Sequence, residues 1–339
     1  MAKATIYDVA RVANVSIKTV SRVLNGEPKA SPATRARVME AARSLNYAPS
    51  QSARSLSGSR SFLIALVSIG GISDNAMLYM TELQMGAIRA CRAGGYHLVT
   101  EFIEGPDRDA LADTLLSTLS VDGVILVPPL CDDARLLDML AQRNVTCVRV
   151  SPALDEGWGW GLDIDNHKAA FEVTRHLMDL GHRDIAFIQG HPQHATAAGR
   201  LAGYRDALFD GGPIPDRLLQ PGQFTFESGL PAARALLEQE RRPTAIFAAN
   251  DSMAMAVLSV AYKMGIPVPT ALSVAGIDDL PAAGVVCPPL TTVRQPVAEM
   301  GAAAARFIIN RTAGQAGNHL KQVFGHSLVV RESTAAAPQ

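Results

Sequence analysis

TIYDVARVANVSIKTVSRVLNG, residues 5–26, is the stretch from which the rest of the chain is read. Thr5 followed by Asp8 at the third helical position is an N-cap signature, and Ile6, Val9, Ala10 and Ala13 then recur at helical spacing. After Asn14 and Val15, Ser16 can cap a second helix. Val20, Val23 and Leu24 point inward in it, Ile17, Lys18, Ser21 and Arg22 share its outer face, and Asn25 and Gly26 stop it. Further on, Ser31 and Pro32 supply a cap and an N1 proline, with Val38, Ala41, Ala42 and Leu45 as a third apolar stripe. Three short helices before residue 48 predict an all-α helix-turn-helix unit.

Charge separates this head from the remainder of the chain. Residues 1–60 hold ten Lys/Arg against three Asp/Glu, a balance of +7 inside a chain whose net charge is -1, so the larger part is acidic. Clustered cations displace condensed counterions from nucleic acid, which makes a polyanion the expected partner of the head. In a helix-turn-helix the second helix enters the major groove. Lys18 and Arg22, four residues apart, can donate to guanine O6 and N7, and Ile17 can meet a thymine methyl. The alternative is that both cations serve phosphates and Ile17 packs into a crevice.

The same 22 residues resemble the N-terminus of the LacI/GalR family of bacterial transcription regulators. The likeness runs through Tyr47, Ala48 and Pro49 into SQSARSLSG, 50–58, which is similar to that family's hinge helix. The resemblance implies a DNA-binding domain over 1–48, a hinge over 49–60 and an effector-binding and dimerisation domain over 61–339. It implies double-stranded operator DNA as partner, with contacts from Thr5, Tyr7, Ser16, Ile17, Lys18, Thr19, Ser21, Arg22, Asn25, Tyr47, Ala53 and Leu56. Leu56 matches the leucine that paired hinge helices of a homodimer wedge into the centre of a palindromic operator. A helix of about eight residues is marginal alone, so the hinge is expected to order only on DNA.

From Phe62 onward, apolar runs alternate with helical patterns: FLIALVSI, YHLVTEFI, GVILVPP, TCVRVS, DIAFIQG, TAIFAAN and LSVAGID, with MTELQMGAIRACRA and ESGLPAARALLEQE among the intervening helices. Continuous apolar strands separated by helices predict doubly wound parallel sheets. The fold class is therefore α/β, a two-lobed sensor domain behind a small all-α head. The first crossover is expected near Gly157 to Gly161 and the return at LTTVRQP, 290–296, giving one lobe of about 61–161 plus 292–322 and another of about 162–291 plus 323–332. A ligand is expected between the lobes, at the carboxyl ends of the strands.

GRLAGYRDAL, AIFAANDSMAMAV, LSVAGIDD and PPLTTVRQP are similar, in order and spacing, to the periplasmic-binding-protein-like sensor of the same family. That likeness implies effector contacts at Arg200, Asn250, Asp278 and Gln295, and at Ser151, Phe224, His194 and Thr196. In SIGGISDNAMLYM, 68–80, the family's Asn-Pro-aromatic motif is missing, and Asp74, Asn75 and Tyr79 are the candidates there. An arginine, an amide and an acid at strand ends supply the donors and acceptors of a sugar site. The competing reading is that Asn250 and Asp251 cap the following helix and Asp278 with Asp279 makes a turn, although capping by Asp251 leaves Asn250 able to face ligand. Trp158 and Trp160 could stack on a sugar or pack at the lobe junction.

An enzyme is disfavoured: no dinucleotide fingerprint, P-loop, GxSxG or HExxH stands in the chain. His167, His176, His182, His191 and His194 cluster in sequence without metal-ligand spacing and read as surface or loop residues, so neither metal nor cofactor is expected. Cys91, Cys131, Cys147 and Cys287 stand apart and read as reduced core or pocket-wall thiols. MAKATIYDVARVANV lacks the apolar core of a secretory signal and no run approaches a membrane span, so a cytoplasmic protein is expected and a transport binding protein is disfavoured. The expected function is a sequence-specific repressor of sugar-utilisation genes, dimeric and released by a sugar. A purine-type or other corepressor is the alternative.

Overall fold

The structure, a computed structural model, describes residues 4–24, 29–47, 60–69, 77–103, 108–118, 120–153, 158–208, 214–315 and 321–338. Two compact units emerge, one of residues 1–62 with 120–122 and one of residues 63–119 with 123–339.

In the first unit α1 (Ile6–Val12), α2 (Ile17–Leu24) and α3 (Pro32–Ser44) begin where the sequence marks them. The Asp8 carboxylate accepts from the Thr5 amide and hydroxyl, at 3.0 and 2.7 Å. Ser16 Oγ accepts from the Thr19 amide at 3.1 Å and Ser31 Oγ from the Thr34 amide at 3.2 Å, so each of the next two helices has its cap. One small core of valines and alanines, Val9, Ala10, Ala13, Val20, Val23, Val38, Ala41 and Ala42, joins all three helices. Leu24, Leu45 and Tyr47 pack against it. Beyond the head, the Asp122 carboxylate accepts from the amides of Ser61 and Phe62 at 2.8 and 2.9 Å.

The second unit contains two parallel sheets. The first has the order β11-β5-β4-β3-β1-β2, built from β1 (Leu63–Ile69), β2 (His97–Ile103), β3 (Gly123–Leu126), β4 (Thr146–Val150), β5 (Trp160–Ile164) and β11 (Lys321–Phe324). The second has the order β7-β6-β8-β9, from β6 (Ile185–Ile188), β7 (Leu219–Gln220), β8 (Ala245–Ala248) and β9 (Ser273–Ala275). β10 (Thr292–Arg294) and β12 (Ser327–Val329) form an antiparallel pair. Helix α4 (Met77–Ala93) packs on α11 (Val297–Thr312) through two glycines: a Cβ on Gly86 would collide with the Ala298 carbonyl oxygen, and one on Gly301 with that of Leu83. α7 (Asn166–Asp179) and α8 (Ala195–Leu208) cover the second sheet together with α9 (Phe226–Leu237) and α10 (Asp251–Lys263).

Two details differ from the sequence reading, and a third falls within the expected 290–296. The chain leaves the first sheet after residue 164, not at the glycines of 157–161, because Trp160–Ile164 pairs in parallel with β4. The final return likewise comes after residue 324, since all of Lys321–Phe324 pairs with β5. β10 stays bridged to the second lobe, through Ala275 with Thr291 and Asp278 with Arg294, so that crossing falls at Gln295.

His182 is fully buried, not a surface histidine. Its Nδ1 meets Thr244 Oγ1 at 2.9 Å, and its Nε2 meets Ser273 Oγ at 3.0 Å and the Ala335 carbonyl at 3.1 Å, so the imidazole fastens the C-terminal segment to the second sheet. Burial holds its pKa below the ordinary histidine value. Cys91, Cys131 and Cys147 are buried, whereas Cys287 is exposed and so lines no core. Among the described residues no helix is long and apolar enough to cross a membrane and no cluster of side chains could hold a metal ion.

Candidate functional site

Two very different surfaces carry the candidate residues. On the head, Thr5, Tyr7, Ser16, Ile17 and Lys18 are exposed, and Thr19, Ser21 and Arg22 are half-buried along the same helix. Tyr7 at 68% and Ile17 at 40% exposure are apolar groups a folded head would otherwise cover, which removes the crevice reading for Ile17 within the head. Tyr47 is half-buried against the head core, so part of it is structural. Asn25, Ala53, Leu56 and Asp74 lie outside the described residues.

In the second unit the candidates converge at the carboxyl ends of strands from both lobes. Arg200, 4% exposed, projects from α8; its Nε donates to Asn166 Oδ1 at 2.9 Å, its Nη1 donates to the Ala249 carbonyl, and its Nη2 stands 3.7 Å from Asp278 Oδ1. Gln295 Nε2, at the crossing, donates to the same Asp278 oxygen at 2.6 Å. On the other lobe, Ser151 follows β4 and donates its hydroxyl to Asp163 Oδ1 at 3.0 Å. Asn166 Nδ2 donates to that oxygen as well, at 2.9 Å. A single chain of polar contacts thus runs Ser151, Asp163, Asn166, Arg200, Asp278, Gln295, from the first lobe through the second and back to the crossing.

Aromatic groups flank it. The Phe224 ring lies 5.7 Å from the Arg200 guanidinium carbon and stacks on His194, centroids 5.6 Å apart, with His191 next to His194 at 4.7 Å. Gly190 makes this possible, since a Cβ there would collide with the Phe224 ring. Burial, reinforced by His191 and opposed by Asp132, pushes His194 down to about 4, so its imidazole is neutral near pH 7. Thr196, near the start of α8, is half-buried. Tyr79 stands on α4; its phenol is raised by burial and by Asp278 and Asp163, and stays protonated.

Burial also raises Asp278, to about 6, against the opposing pull of Arg200 and Gln295. Behind it Asp251, fully buried, accepts from Thr292 Oγ1 and from the Leu280 amide at 3.0 Å, and burial together with Asp278 raises it further. Asp278 and Asp279 have φ of 137° and 55°, a left-handed corner that L side chains rarely adopt. The corner is held from outside: Asp279 accepts from Arg294 Nε at 2.6 Å and from Arg331 Nη2. Arg294, just before one of the three crossings between lobes, and Arg331, on the C-terminal segment that follows another, are thereby tied to the residue next to Asp278.

Asn250, and not Asp251, caps α10: its Oδ1 accepts from the Met253 amide at 3.1 Å and its Nδ2 donates to the Phe224 carbonyl at 2.8 Å. Most of its side chain is thereby committed to holding Phe224. Trp160 is buried and stacks on Phe307 with centroids 4.4 Å apart, and Trp158 donates to Asp138 at 3.0 Å, so both tryptophans pack within the first lobe. Sequence reasoning missed Asp163 and Asn166. The signal was available, since an acid inside the apolar strand WGLDI requires polar partners on folding.

Comparison with known proteins follows the same division. Residues 5–50 match the family model for bacterial regulatory proteins of the lacI family, and 174–334 that of a periplasmic binding protein-like domain. The HTH-type transcriptional regulator DegA of Bacillus subtilis is 35% identical over 98% of this chain and 98% of its own. The transcriptional regulator CelR in complex with cellobiose has a TM-score of 0.72 at 33% identity, covering 97% of this chain and 99% of that one. The Lac repressor dimer bound to operator and the anti-inducer ONPF has a TM-score of 0.80 at 29% identity, covering 99% and 100%. Full-length relatives above 30% identity, among them HTH-type transcriptional regulators and repressors, place this chain in the lacI family of bacterial regulatory proteins.

Proposed function

We propose that this regulator is a homodimeric, cytoplasmic repressor that holds a palindromic operator until a small sugar-like inducer binds between its lobes. The observation that carries this reading is the polar chain from Ser151 to Gln295, which touches both lobes and the crossing at once. A ligand seated on it contacts parts whose relative position sets the interlobe angle, and it favours one angle by the difference in its contacts. The named ligand of one similar structure, cellobiose with CelR, supports the sugar class.

On the DNA side, Ile17, Lys18 and Arg22 present the reading face, Thr5, Tyr7, Ser16, Thr19 and Ser21 surround it, and Asn25, Ala53 and Leu56 complete the contact. Exposed apolar side chains on the second unit, Tyr262 at 86% and Val285 at 83%, suit a dimer surface. The test is operator titration with and without sugars, for the wild type and Asp278→Ala. Sugar should weaken wild-type binding by some 1–3 kcal/mol, the usual scale of coupling, and leave the variant unmoved. Binding that tightens with ligand would mean a corepressor instead, and a tetramer in ultracentrifugation would remove the dimer.

A further inference from the structure

Asp163 is a cleft carboxylate with one oxygen engaged and one open. It lies on β5, and its Oδ1 is saturated by three donors: Ser151 Oγ at 3.0 Å, the Ile164 amide at 2.8 Å and Asn166 Nδ2 at 2.9 Å. Its Oδ2 has no hydrogen bond among the described residues. The group is half-buried; burial raises its pKa, against its bonds to Ser151 and Ile164 and the charges of Lys321 and then Arg200, and its own charge helps to keep the Tyr79 phenol protonated.

Arg200, which with Lys321 acts on this carboxylate, has little left to offer an anion in the cleft. Arg200 Nε and Nη1 are bonded to Asn166 and the Ala249 carbonyl, and Nη2 is matched to Asp278 at 3.7 Å. A phosphate or carboxylate on the ligand would meet two acids in a low-dielectric site and would have to draw Nη2 away from Asp278. A hydroxyl or an ammonium meets the opposite situation, because acceptor oxygens on both sides of the cleft lack donors that only the ligand can supply.

We infer that Asp163 contacts the ligand and sets its class: with Asp278 across the cleft, it selects an uncharged polyhydroxyl or amine-bearing effector and rejects phosphorylated or carboxylated ones. This rests on the reading of the cleft as the effector site. It adds to that reading a residue and a charge rule.

The experiment is calorimetric titration of the full chain, with thermal unfolding as a second readout, using glucose, ribose, cellobiose, glucosamine, the phosphate esters of glucose and ribose, hypoxanthine and inorganic phosphate. At least one neutral or amine-bearing sugar should bind, and the phosphate esters should not. Asp163→Asn keeps an oxygen for all three internal donors, so it should fold as the wild type does, yet bind that sugar about tenfold or more weakly. An anionic ligand as the tightest binder, silence from every neutral and amine-bearing sugar, or undiminished affinity in Asp163→Asn would overturn the inference. Phe224→Ala separates the two levels. If it leaves binding intact, the ligand sits elsewhere and the effector-site reading fails too; if it weakens binding while Asp163→Asn does not, only the charge rule fails.

Discussion

Arg22 and Arg200 are the same side chain put to opposite uses. Arg22 sits on an eight-residue helix, half-exposed, in a unit whose core is a handful of valines and alanines. Arg200 is 4% exposed and held by an amide, a carbonyl and a carboxylate. A polyanion is bound by displacing its counterions, a gain that depends on cations presented at a surface the partner can reach. A small ligand carries no such reservoir, so its site must have donors and acceptors fixed beforehand, at the expense of desolvating them. On the roles proposed for them, function on the head should depend little on stability, while in the cleft the two should be hard to separate.

The sharpest way to break that contrast is to delete each arginine. Arg200→Ala leaves Asp278 buried without its cation, a loss of about 3–5 kcal/mol for a broken buried pair, toward the lower end because Asp278 already titrates high at about 6. Urea unfolding measures it. A cost below about 0.5 kcal/mol, the range of ordinary surface substitutions, would show that the cleft network is no part of the stability of the unit.

Arg22→Ala should do the reverse, leaving unfolding within about 0.5 kcal/mol of wild type and weakening the preferred operator by about 1–3 kcal/mol, with little change on random DNA. Equal weakening on every sequence would reduce Arg22 to a phosphate contact.

The two regions were also unequally legible in the sequence, for physical reasons. Asp8 accepts from the Thr5 amide, and Ser16 and Ser31 accept from amides three residues on, so the head helices could be placed from local spacing. Apolar runs likewise announce the strands. The cleft depends on long-range partners: Asn166 is joined to Arg200 across 34 residues and Gln295 to Asp278 across 17, which no local pattern records. The glycines around residue 159 read as the crossover because they break the apolar pattern, whereas they only turn the chain from β4 into Trp160–Ile164, whose other neighbour, β11, comes much later in sequence. Asn250 and Asp251 exchanged roles because one residue in the helix start decides which of two adjacent polar side chains caps it. His182 looked like a loop residue because the segment that buries it, around Ala335, comes 153 residues later.

The smallest expected effect is a slope. Asp251 and Asp278 are raised by burial, so each favours the folded state most while protonated, and that stability is lost as pH rises from the ordinary carboxylate value of 3.8 through the folded value. His176, His182 and His194 are lowered, also by burial, so their contribution is present above 6.5 and lost as pH falls below it. In the head Asp8 is lowered by its bonds to Thr5, and its contribution is lost only as pH falls below 3.8. Between about pH 6.5 and 8, then, the larger unit should lose stability with rising pH while the head stays level. The slope cannot exceed about 1.4 kcal/mol per pH unit for each proton released. Asp251→Asn, which can still accept the Leu280 amide, should flatten it. Denaturant titrations across that range, followed by probes in each unit, make the comparison. A head that loses stability in parallel, or an Asp251→Asn protein with an unchanged slope, would mean that the buried acids do not set the pH response of the cleft.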